Sequence, residues 1–289
     1  MKIGLIGHSH SVCLLDAVGP WRDQFTLGPP KAKAGYSSAF DGWDAVEKGQ
    51  AVIQLPNRRI GRFTVDLACA VISGGHPDYG LIGTEVGKDK TITISPTPTL
   101  LKICEGFADC DLIVSIVFGN ELAGRIWIDV LPAYDFIEES LPGPLRAGAQ
   151  PIDRRYINLA LHEYVGRIQM TCLMIRRYCP RAGVAHTMPP PPIEDPPKLK
   201  FLEGFGEAMG KYGIVNPTLR LKWYRAYAAA MKATLNQAGI GLVPPPAAAF
   251  DERGFFQERL SSGLTHGNAT YGAMVWEEIA SNINVRPKQ

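Results

Sequence analysis

Three short segments carry residues that together could break an acyl bond. Gly7-His8-Ser9-His10 follows an apolar run from Lys2 to Ile6, and a serine at such a strand-to-helix turn presents its hydroxyl beyond the sheet edge. Its backbone N–H then stands at the start of a helix, where partial positive charge favours a developing oxyanion. Phe118-Gly119-Asn120-Glu121 closes the apolar run Asp111 to Val117; Gly119 permits an unusual turn, and Asn120 supplies a side-chain amide donor. The third segment, Thr265 to Gly272 (THGNATYG), places His266 just before a final helical stretch, and a neutral imidazole there can accept a serine proton. Taken singly, each has a plainer reading: Ser9 as a helix N-cap, Gly119-Asn120 as a turn, His266 as a surface residue. Taken in order, they supply a nucleophile, an oxyanion donor and a general base.

The elements that must position these residues alternate between strand and helix. Lys2 to Ile6 reads as a strand and Ser11 to about Trp21 as a helix, with Val12, Leu15 and Val18 on one face. From about Phe25 to Pro96 the pattern is poor; apolar runs at Ala51 to Leu55, Val65 to Ile72 and Thr91 to Ile94 include one expected second core strand. Thr99 to Phe107 reads as a helix, Asp111 to Val117 as a buried strand and Asp153 to about Tyr178 as a long helix. Gly183 to His186 is a short strand running into Pro189, Pro190, Pro191 and Pro192, which cannot extend a sheet ladder. Asn216 and Pro217 read as N-cap and first residue of a helix to about Gln237, with Leu219, Trp223, Tyr227 and Met231 on one face. Ile240 to Val243 is the last strand, and Ala269 to Asn282 the last helix. The expected fold is therefore α/β, a three-layer sandwich around a parallel sheet of about five strands. It is expected to form one domain over residues 1–289, with a poorly patterned insertion within about 25–96. In such a sheet all three segments fall at the carboxyl ends of strands, where ligands bind.

In that order the segments resemble the sequence blocks of the SGNH/GDSL hydrolase superfamily, over residues 7 to 272. The resemblance implies a flavodoxin-like sheet, with Ser9 as nucleophile and His266 as general base. It makes Asn120, together with Gly119 and the Ser9 N–H, the oxyanion hole, and the neighbouring His8, His10 and Asn268 are expected to contact substrate. It implies no cofactor and no metal. The reaction it implies is hydrolysis or transfer of an acyl group from a small-molecule or carbohydrate ester, as in carboxylesterases and acetylesterases, through a Ser9 acyl-enzyme. The chain departs from the family pattern at three places: His8 stands where the family has Asp, the asparagine block is shortened to Gly-Asn, and Gly263 occupies the position of the triad aspartate. Gly87 and Ser95 are candidates for the second oxyanion block. With no acid at 263, a Ser-His dyad supported by a backbone carbonyl is expected, Glu258 and Asp251 lying upstream at other spacings.

Composition sets limits around this reading. At 289 residues, 20% charged and a formal net charge of +2, the chain has no Lys and Arg block to track phosphates, so no nucleic-acid partner is expected. Its six cysteines include no Cys-x-x-Cys pair and sit mostly in apolar stretches, as buried thiols in a reducing compartment would. No run of 18 apolar residues occurs, and the start lacks a signal-type apolar run, so a soluble cytoplasmic protein without membrane insertion is expected. Oligomeric state leaves no trace in the sequence.

Other chemistries fit parts of the pattern. Gly7-His8-Ser9-His10-Ser11 resembles the nucleophile elbow of α/β-hydrolases, but several strands precede that elbow and only six residues precede this one. His8 and His10 also resemble the His-x-His metal pair of amidohydrolases, with His76, His162, His186 and His266 as further possible ligands. The missing aspartate fits a degenerate member that binds a ligand without turning it over.

Overall fold

The computed structural model describes residues 1–21, 52–61, 63–72, 81–118, 122–129, 131–196 and 205–282. Strand β1 (Lys2–Gly7) runs directly into helix α1 (Ser11–Ala17), then come β2 (Ile53–Ile60), β3 (Phe63–Val71) and the hairpin β4 (Ile82–Val86) and β5 (Ile92–Pro96). Helix α2 (Pro98–Gly106) leads into β6 (Leu112–Ile116), followed by the short α3 (Ala123–Trp127) and the two-residue strands β7 (Tyr134–Asp135) and β8 (Gln150–Pro151). The second half holds α4 (Arg154–Tyr178), β9 (Gly183–Thr187), α5 (Gly206–Tyr212), α6 (Pro217–Gln237), β10 (Gly241–Val243) and α7 (Ala269–Asn282).

The central sheet has six strands in the order β10-β9-β6-β1-β3-β2. Neighbours are parallel throughout except at the edge, where β2 runs antiparallel to β3. The five parallel strands stand in the spatial order second, first, third, fourth, fifth, so the chain reverses its winding direction beside β1 and opens a crevice at the carboxyl ends of β1 and β6.

Side-chain alternation builds two cores. Ile3 and Leu5 of β1, with Leu67, Cys69 and Val71 of β3, pack on one face under α1 and α7; Ile6, Ala68, Ala70 and Ile113 pack on the other under α2, α4 and α6. On α4, Ile157, Leu161, Val165, Ile168, Cys172 and Ile175 recur every three or four residues and are buried. Helix starts follow their capping residues: the Asp153 side chain accepts from the Arg155 N–H, and the Asn216 side chain from the Thr218 N–H, just ahead of Pro217.

One expectation needs correction, and one choice that the sequence leaves open is decided. The first helix ends at Ala17 instead of about Trp21, because Gly19 takes a positive φ of 102° and Pro20 follows it. Of the three apolar runs before residue 97, Val65 to Val71 lies on β3, the parallel neighbour of β1, whereas Ile53 to Leu55 lies on the antiparallel edge strand β2, Ala51 being outside the described residues, and Thr91 to Ile94 falls in the separate β4–β5 hairpin. Among the described residues no helix is long and apolar enough to cross a membrane.

Candidate active site

The site begins where β1 stops. A side chain at Gly7 would press within 3.1 Å of both the Ile116 Cβ and the Ile116 carbonyl of β6, so glycine lets the two strand ends lie close. The chain then folds over itself: the Ser11 N–H and the Ser11 Oγ both donate to the His8 carbonyl, at 3.0 and 2.6 Å, and Ser11 is fully buried. The N-cap of α1 is His10, with no side-chain capping bond. Ser9 precedes it, so its hydroxyl is not an N-cap ligand, and its backbone N–H has no hydrogen-bond partner among the described residues. The Ser9 Oγ instead lies 2.7 Å from the His266 Nε2. In the neutral tautomer that lets Ser9 donate, the His266 Nδ1–H donates to the Thr265 Oγ1 at 3.1 Å. A hydroxyl therefore stands where a backbone carbonyl is expected from the sequence.

His266 is held by a loop tied to itself. The Ser262 N–H donates to the His266 carbonyl at 2.9 Å, the Ser262 Oγ donates to the Gly267 carbonyl at 2.9 Å, and the Gly263 N–H donates to the Ser261 Oγ at 3.1 Å. Asn268, expected as a substrate contact, is hydrogen-bonded on both ends of its amide within the chain. Its Oδ1 accepts from the Tyr271 N–H at 3.2 Å in the first turn of α7, and its Nδ2 donates to the Arg259 carbonyl at 2.8 Å. The upstream carboxylates are placed for other work. Asp251 Oδ1 accepts from the Arg253 and Phe255 N–H groups at 2.9 and 2.8 Å, and Glu258 is exposed.

His8 and His10, also expected at substrate, are both buried. The His8 Nδ1 accepts from the Phe118 N–H at 3.2 Å, and the two rings meet edge to face at 5.3 Å. An accepting Nδ1 is unprotonated, so this histidine pins the end of β6, where Phe118 has a positive φ of 60°. His10 stacks on the His266 ring, with centroids 4.4 Å apart and planes 25° apart. Gly119 and Asn120 lie outside the described residues, as does His76. Gly87 and Ser95 belong to the β4–β5 hairpin, where the Gly87 N–H donates to the Thr91 carbonyl at 2.8 Å. The strands that flank β1 are β3 and β6, and Ser73-Gly74-Gly75, which follows β3, lies outside the described residues.

The remaining histidines are dispersed. His162 is exposed on α4, and His186 is buried on β9 with its Nδ1 3.2 Å from the Ser115 Oγ. Among the described residues no group of three or more His, Cys, Asp or Glu side chains is arranged to hold a metal ion. Sequence reasoning missed two positioning contacts, Thr265 on Nδ1 and His10 on the imidazole face. Both residues stand inside the quoted motifs, yet only the loop geometry brings them to His266.

No family model and no curated protein matches the chain. Several solved structures are similar to it. An extracellular lipase from Streptomyces rimosus aligns over 98% of this chain and 100% of its own, at 10% identity and a TM-score of 0.47. The periplasmic domain of a lipopolysaccharide acetyltransferase from Salmonella ser. Paratyphi A aligns over 97% and 82%, at 10% identity and 0.45. A catalytic mutant of an acetylxylan esterase from Geobacillus stearothermophilus aligns over 100% and 97%, at 12% identity and 0.42.

Proposed function

We propose that this chain is a serine-dependent acyl-ester hydrolase or acyltransferase of the SGNH type, working through Ser9 and His266. The observation that carries the reading is the 2.7 Å contact between the Ser9 Oγ and the His266 Nε2, made by residues from opposite ends of the chain at one sheet edge. In the proposed reaction His266 takes the hydroxyl proton as the Ser9 Oγ attacks the ester carbonyl carbon. The carbonyl π electrons move to oxygen, and the Ser9 N–H stabilises that oxyanion together with Asn120, which the family resemblance assigns to this role. Collapse breaks the carbon–oxygen bond to the alcohol, which leaves with the proton from His266. Water or a second alcohol then attacks the acyl-enzyme by the same steps in reverse. Carbohydrate esters and other small esters fit this chemistry equally. A reducing, cytoplasmic setting belongs to the same reading, supported by six cysteines that are all buried and unpaired.

An organophosphonate probe and an aryl acetate together test it. The wild type should take up one equivalent of phosphonate on Ser9, and Ser9→Ala should lose both labelling and about 10³-fold or more in turnover while staying folded. A folded Ser9→Ala protein with full activity would show that the nucleophile lies elsewhere. Turnover abolished by chelators would favour a metal-dependent reaction, and a folded wild type that neither labels nor turns over would favour a ligand-binding role.

A further inference from the structure

A base that takes the Ser9 proton becomes a cation, and the groups on its two ring nitrogens carry no charge to offset it. The Ser9 Oγ on Nε2 and the Thr265 Oγ1 on Nδ1 are hydroxyls, at 2.7 and 3.1 Å, and Gly263 stands where the family pattern has an aspartate. A third group meets the ring on its face. The His10 imidazole is stacked there, with centroids 4.4 Å apart and planes 25° apart.

The surroundings of His10 favour its neutral form. The residue is only 5% exposed, and burial penalises a charged imidazole. It is also the N-cap of α1, where the first helical N–H groups add partial positive charge, so a proton on this ring is opposed twice. A neutral aromatic ring presents a partly negative π face, which attracts a cation within about 6 Å of its centroid. The stack is also firmly mounted. His10 follows Ser9 in the chain, and its carbonyl accepts from the Cys13 Sγ at 3.2 Å in the first turn of α1, so the nucleophile and the ring that covers the base share one turn.

We infer that His10 is a positioning residue of the proposed reaction: its neutral ring holds the His266 imidazole against rotation and stabilises the imidazolium formed when Ser9 gives up its proton, taking over part of the work of the absent aspartate. The inference rests on the ester-cleaving reading above. The proton path is unchanged, from the Ser9 Oγ to the His266 Nε2 and on to the leaving alcohol, and His10 neither gives nor takes a proton.

Substitutions that keep or remove the π face separate this role from packing. His10→Phe keeps a stacked ring, whereas His10→Leu and His10→Gln fill the position with an apolar and a polar chain that have none. With an aryl acetate, kcat should fall about three- to thirtyfold in His10→Leu and His10→Gln while KM changes less than about twofold, and His10→Phe should stay within about twofold of the wild type. The same stabilisation acts on the resting imidazolium, so the midpoint of the rise of kcat/KM with pH should fall by about 0.5 to 1.5 units in the two chain variants and hold in His10→Phe. Thermal melts identify the folded variants; His10→Gln carries the comparison if His10→Leu does not fold, and His10→Tyr replaces His10→Phe on the same terms.

Equal kcat in the ring and chain variants would overturn the inference. So would a midpoint that rises in His10→Leu, which would show that His10 carries charge and opposes the base. Either result, with Ser9 of the wild type labelled by phosphonate and acetates turned over, leaves the ester-cleaving reading standing. A folded wild type that neither labels nor turns over esters would overturn both.

Discussion

A serine hydroxyl becomes a nucleophile only if the base accepting its proton is held in the right tautomer, so the partner of the far imidazole nitrogen matters. Here the Thr265 hydroxyl stands 3.1 Å from the His266 Nδ1. A hydroxyl can accept the Nδ1–H and orient the ring, but it carries no charge to stabilise an imidazolium. Its effect should therefore be that of one neutral hydrogen bond, about 0.5 to 1.5 kcal/mol, against the roughly 10⁴-fold that loss of a triad aspartate can cost. Thr265→Val is expected to lower kcat about three- to tenfold with little change in KM, and Thr265→Ser to restore it. Thr265→Asp should raise the apparent pKa of the kcat/KM profile, because an adjacent carboxylate favours imidazolium. Steady-state kinetics across pH reads both, and a Thr265→Val enzyme with unchanged kcat and profile would show that the hydroxyl does not orient the base. This partner was not legible in the sequence. The family pattern directs attention three residues upstream of His266, to Gly263, and only the turn made by Ser261 to Gly267 shows which neighbour reaches the ring.

At the scale of elements, the distance between Ser9 and His266 is set by how α1 and α7 lie against each other, since each helix begins just after one of the two residues. Gly272 is the contact point. A Cβ there would be driven into the Cys13 carbonyl and would stand 2.9 Å from the Leu14 N, while one turn on, the Trp276 Nε1 donates to the Leu14 carbonyl at 2.9 Å. In an exposed helix, replacing glycine by alanine gains about 1 kcal/mol. Backbone against backbone cannot yield as a side chain can, so overpacking costing about 1 to 3 kcal/mol should win here. Gly272→Ala should lower the melting temperature and reduce kcat at least about tenfold, because small displacements of a reacting pair cost that much or more. Thermal melts and kinetics on one preparation test this; a more stable, fully active variant would mean that the helices reseat freely. Elements with strong periodicity were legible, as in α4, α6 and α7. The choice between β2 and β3 is subtler: buried and exposed residues are interleaved along β2, whereas β3 is continuously buried from Leu67 to Val71, the mark of a strand covered on both faces. That contrast is present in the sequence but weak, since Pro56 and Asn57 interrupt one run and a single acidic residue, Asp66, interrupts the other.

For the molecule as a whole, the sheet interior holds a titratable group that the proposed chemistry does not use. His186 on β9 pairs in register with Ser115 on β6, with Nδ1 3.2 Å from the Ser115 Oγ. Burial alone pushes the His186 imidazole down to about 3, because the charged form would lose its water without gaining a partner. In the unfolded chain the same ring titrates near its ordinary value of about 6.5. Between those values the unfolded state binds a proton that the folded state refuses, so stability rises with pH across this window. The contribution is fully present above about pH 6.5 and is lost as pH falls toward 3, at up to about 1.4 kcal/mol per pH unit. His186→Asn keeps a hydrogen-bonding side chain but does not titrate. Denaturant unfolding from pH 4 to 7 should therefore give the wild type a steeper fall by about one bound proton, the carboxylates contributing equally to both proteins. The consequence reaches the site, because Ser115 stands one residue before the end of β6 and Phe118 follows two residues beyond that end, its N–H fastened to His8 beside Ser9. Acid that forces a charge onto His186 should thus separate β9 from β6 and lower phosphonate labelling of Ser9 in the wild type at a higher pH than in His186→Asn. Parallel stability curves for the two proteins would assign acid unfolding to other groups and sever this link between the core and the site.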